Sequence, residues 1–212
     1  MRAAPLDRRS TAGVALALAC VAALGAGACD RLWYASSAYN GVRMTPPLAK
    51  PAVTWERTDG AAFDMRAETA GRVTLLYFGY THCPDVCPLQ LMHLGTALRE
   101  LGADTAAQLR VLVVSIDPAR DTGSVLGDWV HGFHPGFIPL RGDLASIDTA
   151  LSRLGLSPRA ALMSEPVTAD PAHAAAVVAF AKDGRAHFLY PANTNPEMWA
   201  FDIRKLLRDS VP

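Results

Sequence analysis

Two apolar runs constrain this chain more than anything else in it. "RVTLLYFGY" (72–80) and "LRVLVVSI" (109–116) are dominated by aliphatic and aromatic side chains. Each is too short for a buried helix, so each reads as a strand covered on both faces. Between them Leu91, Leu94, Leu98 and Leu101 recur at three- and four-residue steps, one apolar helical face that ends near Gly102. Helical stretches follow at about 123–133 and 144–154, with "FIPL" as a short extended piece between them. "AAAVVAFA" and "AHFLYP" flank the turn Lys182-Asp183-Gly184-Arg185 as two antiparallel strands, and an amphipathic helix covers about 196–208. Upstream, "AVTWERTDGAAFDM" offers two short strands around Asp59-Gly60. The order predicts an α/β fold of three layers, with a mixed central sheet and an N-terminal hairpin.

The first residues read as a targeting segment. Arg2, Arg8 and Arg9 precede an uncharged apolar run from about Ala12 to Ala28, the n- and h-regions of an export signal or a short membrane anchor. Small residues before Cys29 resemble a lipoprotein cleavage site, which leaves lipoprotein and transmembrane anchor as alternatives. Residues 1–28 are therefore expected to be a signal peptide or anchor, 29–50 a Pro-rich tether without sustained period, and 51–212 the folded domain. Either alternative places the domain at a membrane, outside the cytoplasm. Twenty basic and twenty acidic side chains cancel, so no positive field is present to draw nucleic acid.

Cys20 lies in the apolar segment and Cys29 at its end, which leaves Cys83 and Cys87, in "GYTHCPDVCPLQL", for the folded part. A helix beginning near Pro84 puts Cys83 close to the N-cap and Cys87 one turn later, about 5–6 Å apart between Cβ atoms. Free N–H groups and the helix dipole there favour thiolate, the form that attacks disulfides and binds soft metals. A structural disulfide is the weakest reading, since so short a loop restricts the unfolded chain by about 2 kcal/mol at best. Redox exchange and metal binding both remain open.

A metal needs a third ligand. His82 reads as a cap or surface residue, and His93 lies too far around the helix. His131 and His134 end another helix, and His187 sits in the last hairpin. His173, in "MSEPVTADPAHAAAVVAF", stands at a loop-to-strand junction that can approach the cysteine edge. Asp85 and Asp117 are polar groups near the same edge.

"GYTHCPDVCPLQL", followed by "VVSIDPARDT", closely resembles the Sco/SenC family of copper-handling proteins, and the resemblance runs from about Val53 to Leu207. It implies a thioredoxin-like fold on an N-terminal membrane anchor facing the periplasm. It implies copper, Cu(I) or Cu(II), held by Cys83, Cys87 and His173 and passed on by ligand exchange at an exposed site. The implied partner is cytochrome c oxidase subunit II, whose binuclear copper site would be loaded, with other copper chaperones or thiol reductases as further partners. The alternative is a thiol–disulfide oxidoreductase that keeps such exported thiols reduced, with Cys83 and Cys87 as its catalytic pair. The family commonly reads "VDHS" around the histidine, where this chain has "ADPAHAAAVV".

Overall fold

The two apolar runs form the centre of one sheet. The computed structural model describes residues 38–163, 176–192 and 194–208. Along the chain lie β1 (Val42–Ala49), β2 (Thr54–Arg57), β3 (Ala62–Asp64), α1 (Met65–Glu68), β4 (Val73–Gly79), α2 (Val86–Leu101), α3 (Ala103–Ala106), β5 (Leu109–Ser115), α4 (Gly123–Phe133), β6 (Phe137–Arg141), α5 (Leu144–Arg153), α6 (Arg159–Leu162), β7 (Val177–Phe180), β8 (Arg185–Tyr190) and α7 (Pro196–Arg208). The eight strands make a single mixed sheet in the order β1-β8-β7-β4-β5-β6-β2-β3.

β4, β5 and β6 run parallel, and β7 lies antiparallel to β4 on its other side. Every residue of β4 is buried, which is why its sequence shows no alternation. Register fixes the neighbours of its fifth residue: Tyr77 pairs with Val113 of β5 and Val177 of β7. α2 packs against α7 and touches the end of α4, where Gly95 meets the Phe133 carbonyl so closely that a Cβ would stand 2.7 Å from its oxygen. Trp199, Tyr77 and Tyr190 are the largest fully buried side chains of the core.

Two local expectations are corrected. Val42–Ala49, inside the segment read as a tether, pairs antiparallel with β8 as an edge strand. Its pattern is illegible because Pro46 and Pro47 lack donors, and the register shifts between Arg43 and Leu48 where they fall. The long helix begins at Val86 rather than Pro84, with Asp85 as N-cap accepting from the Val86 N–H. Cys83 and Pro84 thus precede the helix. The segment 1–28 lies outside the described residues, among which no helix is long and apolar enough to cross a membrane.

Candidate functional site

The turn after β4 carries the thiols. β4 ends at Gly79, and its carbonyl still accepts from Ile116 N–H (2.9 Å) beyond β5. The chain then turns: Cys83 N–H donates to the Tyr80 carbonyl at 3.2 Å. This turn carries the Cys83 side chain to the start of α2, where the Cys87 N–H donates to the Cys83 sulfur at 3.4 Å. A helix start leaves its first N–H groups without intrahelical partners, and here a sulfur takes one of them. The expected closeness of the two cysteines is thus realised, with Cys83 capping the helix from outside. They are not disulfide-linked.

The two sulfurs differ in character. Hydrogen bonding from Cys87, its thiol first and its amide next, outweighs burial and holds the Cys83 thiol down at about 6. The same bond seen from the donor, together with deep burial, pushes the Cys87 thiol far up. One sulfur is thiolate-like and the other keeps its proton. The site is also less open than the sequence suggests, since Cys83 is 8% and Cys87 3% exposed.

A buried carboxylate that the sequence does not single out secures this turn. Asp121, fully buried, accepts from the Thr81 hydroxyl (2.6 Å), the Thr81 amide (3.2 Å) and the Ser115 hydroxyl (2.6 Å). It ties the thiol turn to the end of β5. Arg141 of β6 holds the Asp121 loop in turn, donating to the carbonyls of Asp121 (2.8 Å) and Pro118 (3.1 Å). Asp117 instead pairs with Arg120, and its amide donates to Ser115 Oγ (3.1 Å). Only the adjacency of "SIDPARDT" to an apolar strand end could have flagged Asp121.

Tyr77 is the other residue missed. A Cβ on Gly79 would lie 2.7 Å from Tyr77 Cε1, so the ring lies along the backbone that leads to the thiol turn. Its buried hydroxyl stands beside the Cys87 sulfur. Burial first, then the charge of Cys87, push the phenol well above its ordinary value.

The histidines separate as follows. His82 is exposed, its Nδ1 3.0 Å from Thr81 Oγ1; because that hydroxyl donates to Asp121, the ring nitrogen is the donor. His93 turns from the thiols to Thr194, donating from Nδ1 to its carbonyl at 3.1 Å. His131 is exposed, His134 accepts from Gly136 N–H, and His187 is buried against Asp183 at 2.8 Å. His173 lies outside the described residues. Among the described residues no group of three His, Cys, Asp or Glu side chains could hold a metal ion.

Comparison with known proteins agrees with this picture. Residues 54–208 match the SCO1/SenC family. Mitochondrial protein SCO2 of Saccharomyces cerevisiae is 43% identical over 72 residues, 34% of this chain and 24% of that protein. The chain thus spans about a quarter of the length of that curated relative. A copper-bound ScoI of Bradyrhizobium japonicum superposes with a TM-score of 0.58 at 28% identity, covering 80% of this chain and 99% of that one. The apo Sco1 of Thermus thermophilus gives 0.64 at 28% identity, covering 81% and 99%. The mixed sheet is the thioredoxin-like α/β fold of those structures. On this match, which takes in the hairpin, both cysteines, the Asp121 loop and the final helix, the chain belongs to the SCO1/SenC family.

Proposed function

We propose that this chain binds copper through Cys83, Cys87 and His173, and that it serves cytochrome c oxidase assembly by loading the binuclear copper site of subunit II. The observation that carries the reading is the sulfur pair itself: two unlinked, nearly buried thiols at a helix start, one of them thiolate-like. Soft sulfur donors suit Cu(I), and a nitrogen ligand completes a three-coordinate site that also accommodates Cu(II). Val177 pairs with Tyr77, so the chain enters β7 at the end of β4 that leads into the thiol turn, and His173 comes four residues earlier. That approach supports His173 as third ligand. The copper-bound B. japonicum relative supports the metal. The N-terminal apolar segment supports a membrane-tethered domain facing the periplasm, within reach of a membrane-bound acceptor.

In this reading copper is cargo. Cys83 takes the incoming ion first because it needs to lose little or no proton at neutral pH, whereas Cys87 releases its proton as it joins. Handing the ion on is the reverse exchange, with acceptor ligands replacing these one at a time. Anaerobic Cu(I) titration of the reduced protein is expected to give one ion per chain, none after Cys83→Ser or Cys87→Ser, and weakened uptake after His173→Ala. Full stoichiometric binding by either serine variant defeats the reading.

The unequal thiols favour one second reading, a thiol–disulfide oxidoreductase. Cys83 thiolate would attack a partner disulfide, releasing one partner thiolate, and Cys87 would then displace the other. The partner gains two electrons, and Cys83–Cys87 becomes the disulfide. Exchange that persists in His173→Ala with copper affinity unchanged favours this alternative.

A further inference from the structure

The two ends of the sheet differ in character. β4, β5, β6 and β8 run toward the thiol turn, and β1 starts at that end, since its Val42 pairs with Leu189 near the close of β8. α2, α4, α5 and α7 follow those strands, so each begins at the thiol end as well. Among the described residues, the large apolar side chains left exposed are Val42, Leu89, Met92, Val125, Leu144 and Met198. Val42 and Leu144 open β1 and α5, Val125 and Met198 stand third in α4 and α7, and Leu89 and Met92 lie in the first two turns of α2. Side chains on a helix lean back toward its N-terminus, here toward the thiol end. At the opposite end the exposed groups are charged: Arg72 ahead of β4, Asp104 in α3, and Lys182, Asp183 and Arg185 at the β7–β8 turn. Single exposed apolar residues scattered over a surface are ordinary, whereas their confinement to one end marks a contact surface.

The chain itself enters the domain at this end. Only residues 29–41 separate Val42 from the apolar run that closes at about Ala28. As a flexible tether such a length spans roughly 20 Å, and ~45 Å at full extension. A domain of this size is about 40 Å across. The tether is thus shorter on average than the domain is wide, and it holds its point of attachment, the thiol end, nearest the bilayer. We propose that the thiol end of the sheet lies on the membrane surface, its exposed apolar side chains entering the interfacial layer of lipid and its charged end turned to water. Weak contacts suffice, because the tether raises their effective concentration to about the millimolar range. A protein acceptor is the other occupant such a rim would suit; a short tether attached at the same end favours lipid. The proposal rests on the membrane-tethered part of the reading above and not on the metal. It sets where cargo changes hands: at the plane of the membrane rather than above it.

The test places the full-length chain, held by its own N-terminal segment, in nanodiscs of phosphatidylcholine and phosphatidylglycerol with some headgroups carrying a nitroxide. The methyl NMR signals of Met92 and Met198 should broaden several-fold more than the amide signals of Lys182, Asp183 and Gly184. The double variant Leu89→Gln/Leu144→Gln alters only exposed side chains and should bring the two ends closer to equal broadening. Equal broadening at both ends of the wild type, or more at the charged end, overturns the proposal. A difference that survives the double substitution unchanged comes from the tether alone and also overturns it. So does a rim untouched by lipid whose double variant slows copper transfer to a soluble fragment of oxidase subunit II, because the rim then docks a protein. A chain that does not enter the discs removes the membrane-tethered reading and the proposal together. Loss of copper binding alone removes neither.

Discussion

Two regions of the molecule are built from the same three residue types, and they end differently. At the entry to β1, Gly41 lies against the ring of Tyr190, where a Cβ would stand 2.7 Å from Cζ, and buried Asp202 fastens the segment. At the thiol turn, Gly79 lies against Tyr77 at the same close range, and buried Asp121 fastens the turn. In the first region the carboxylate takes the tyrosine hydroxyl and the turn amides together. Asp202 accepts from the Asn40 amide (2.8 Å), Asn40 Nδ2 (2.9 Å), the Gly41 amide (3.2 Å) and the Tyr190 hydroxyl (2.8 Å). In the second, Asp121 is engaged with Thr81 and Ser115, and the Tyr77 hydroxyl faces the Cys87 sulfur instead. The first cluster fastens an edge strand, whereas the second fastens a turn that carries two thiols.

Asp202→Ala should have the largest effect. It removes the acceptor of four donors, one of them the buried Tyr190 hydroxyl, and a loss of about 3–5 kcal/mol in unfolding free energy is expected by denaturant titration. Well below its midpoint, that variant should leave alkylation of Cys83 unchanged. Asp121→Ala should lose less, about 2–3 kcal/mol, yet speed alkylation of Cys83 several-fold, because Thr81 no longer holds the turn. Equal alkylation rates in the two variants would erase the division between holding cluster and site cluster. Next come the tyrosines. Tyr190→Phe removes a hydrogen bond to a carboxylate and should lower stability by about 1.5–3 kcal/mol, while Tyr77→Phe, whose hydroxyl meets only a weakly accepting thiol, should cost about 0.5 kcal/mol.

The smallest effect concerns pH. In the metal-free protein Cys83 should react with iodoacetamide along a curve centred near pH 6, since its thiol is lowered from 9.0 to about 6. Its folded value lies below its unfolded one. Cys83's contribution to stability is therefore complete above about pH 9 and is lost as pH falls through about 6. Asp202→Asn should leave that curve in place, because its causes lie in Cys87 and the surrounding turn.

The elements whose cause is local were legible in order and nearly in bounds. α4, α5 and α7 announce themselves by helical period and caps such as Thr122 and Asp143, and β4 and β5 by unbroken apolar runs. The hairpin around Asp59-Gly60 and the turn at Gly184, with φ of +75°, depend on residues that tolerate tight turns. Elements whose cause is distant were not legible. β1 exists because β8 offers it an edge 140 residues or so downstream, and nothing in "VRMTPPLA" records that. The helix starts two residues later than expected because Asp85, rather than a residue near Cys83, takes the N-cap.

The same division runs through the site. The sequence by itself determined the pair Cys83 and Cys87, since four residues leading into a helix start keep two sulfurs within reach of each other. It also determined the succession of strands and helices along the chain near them, through the length and apolarity of each run. Only the tertiary structure decided that the two sulfurs are unequal, that Asp121 rather than Asp117 secures their turn, and that Tyr77 stands beside Cys87. Acidity, desolvation and hydrogen-bond satisfaction depend on atoms brought together from β4, β5 and α2, and such convergence leaves no period in a sequence.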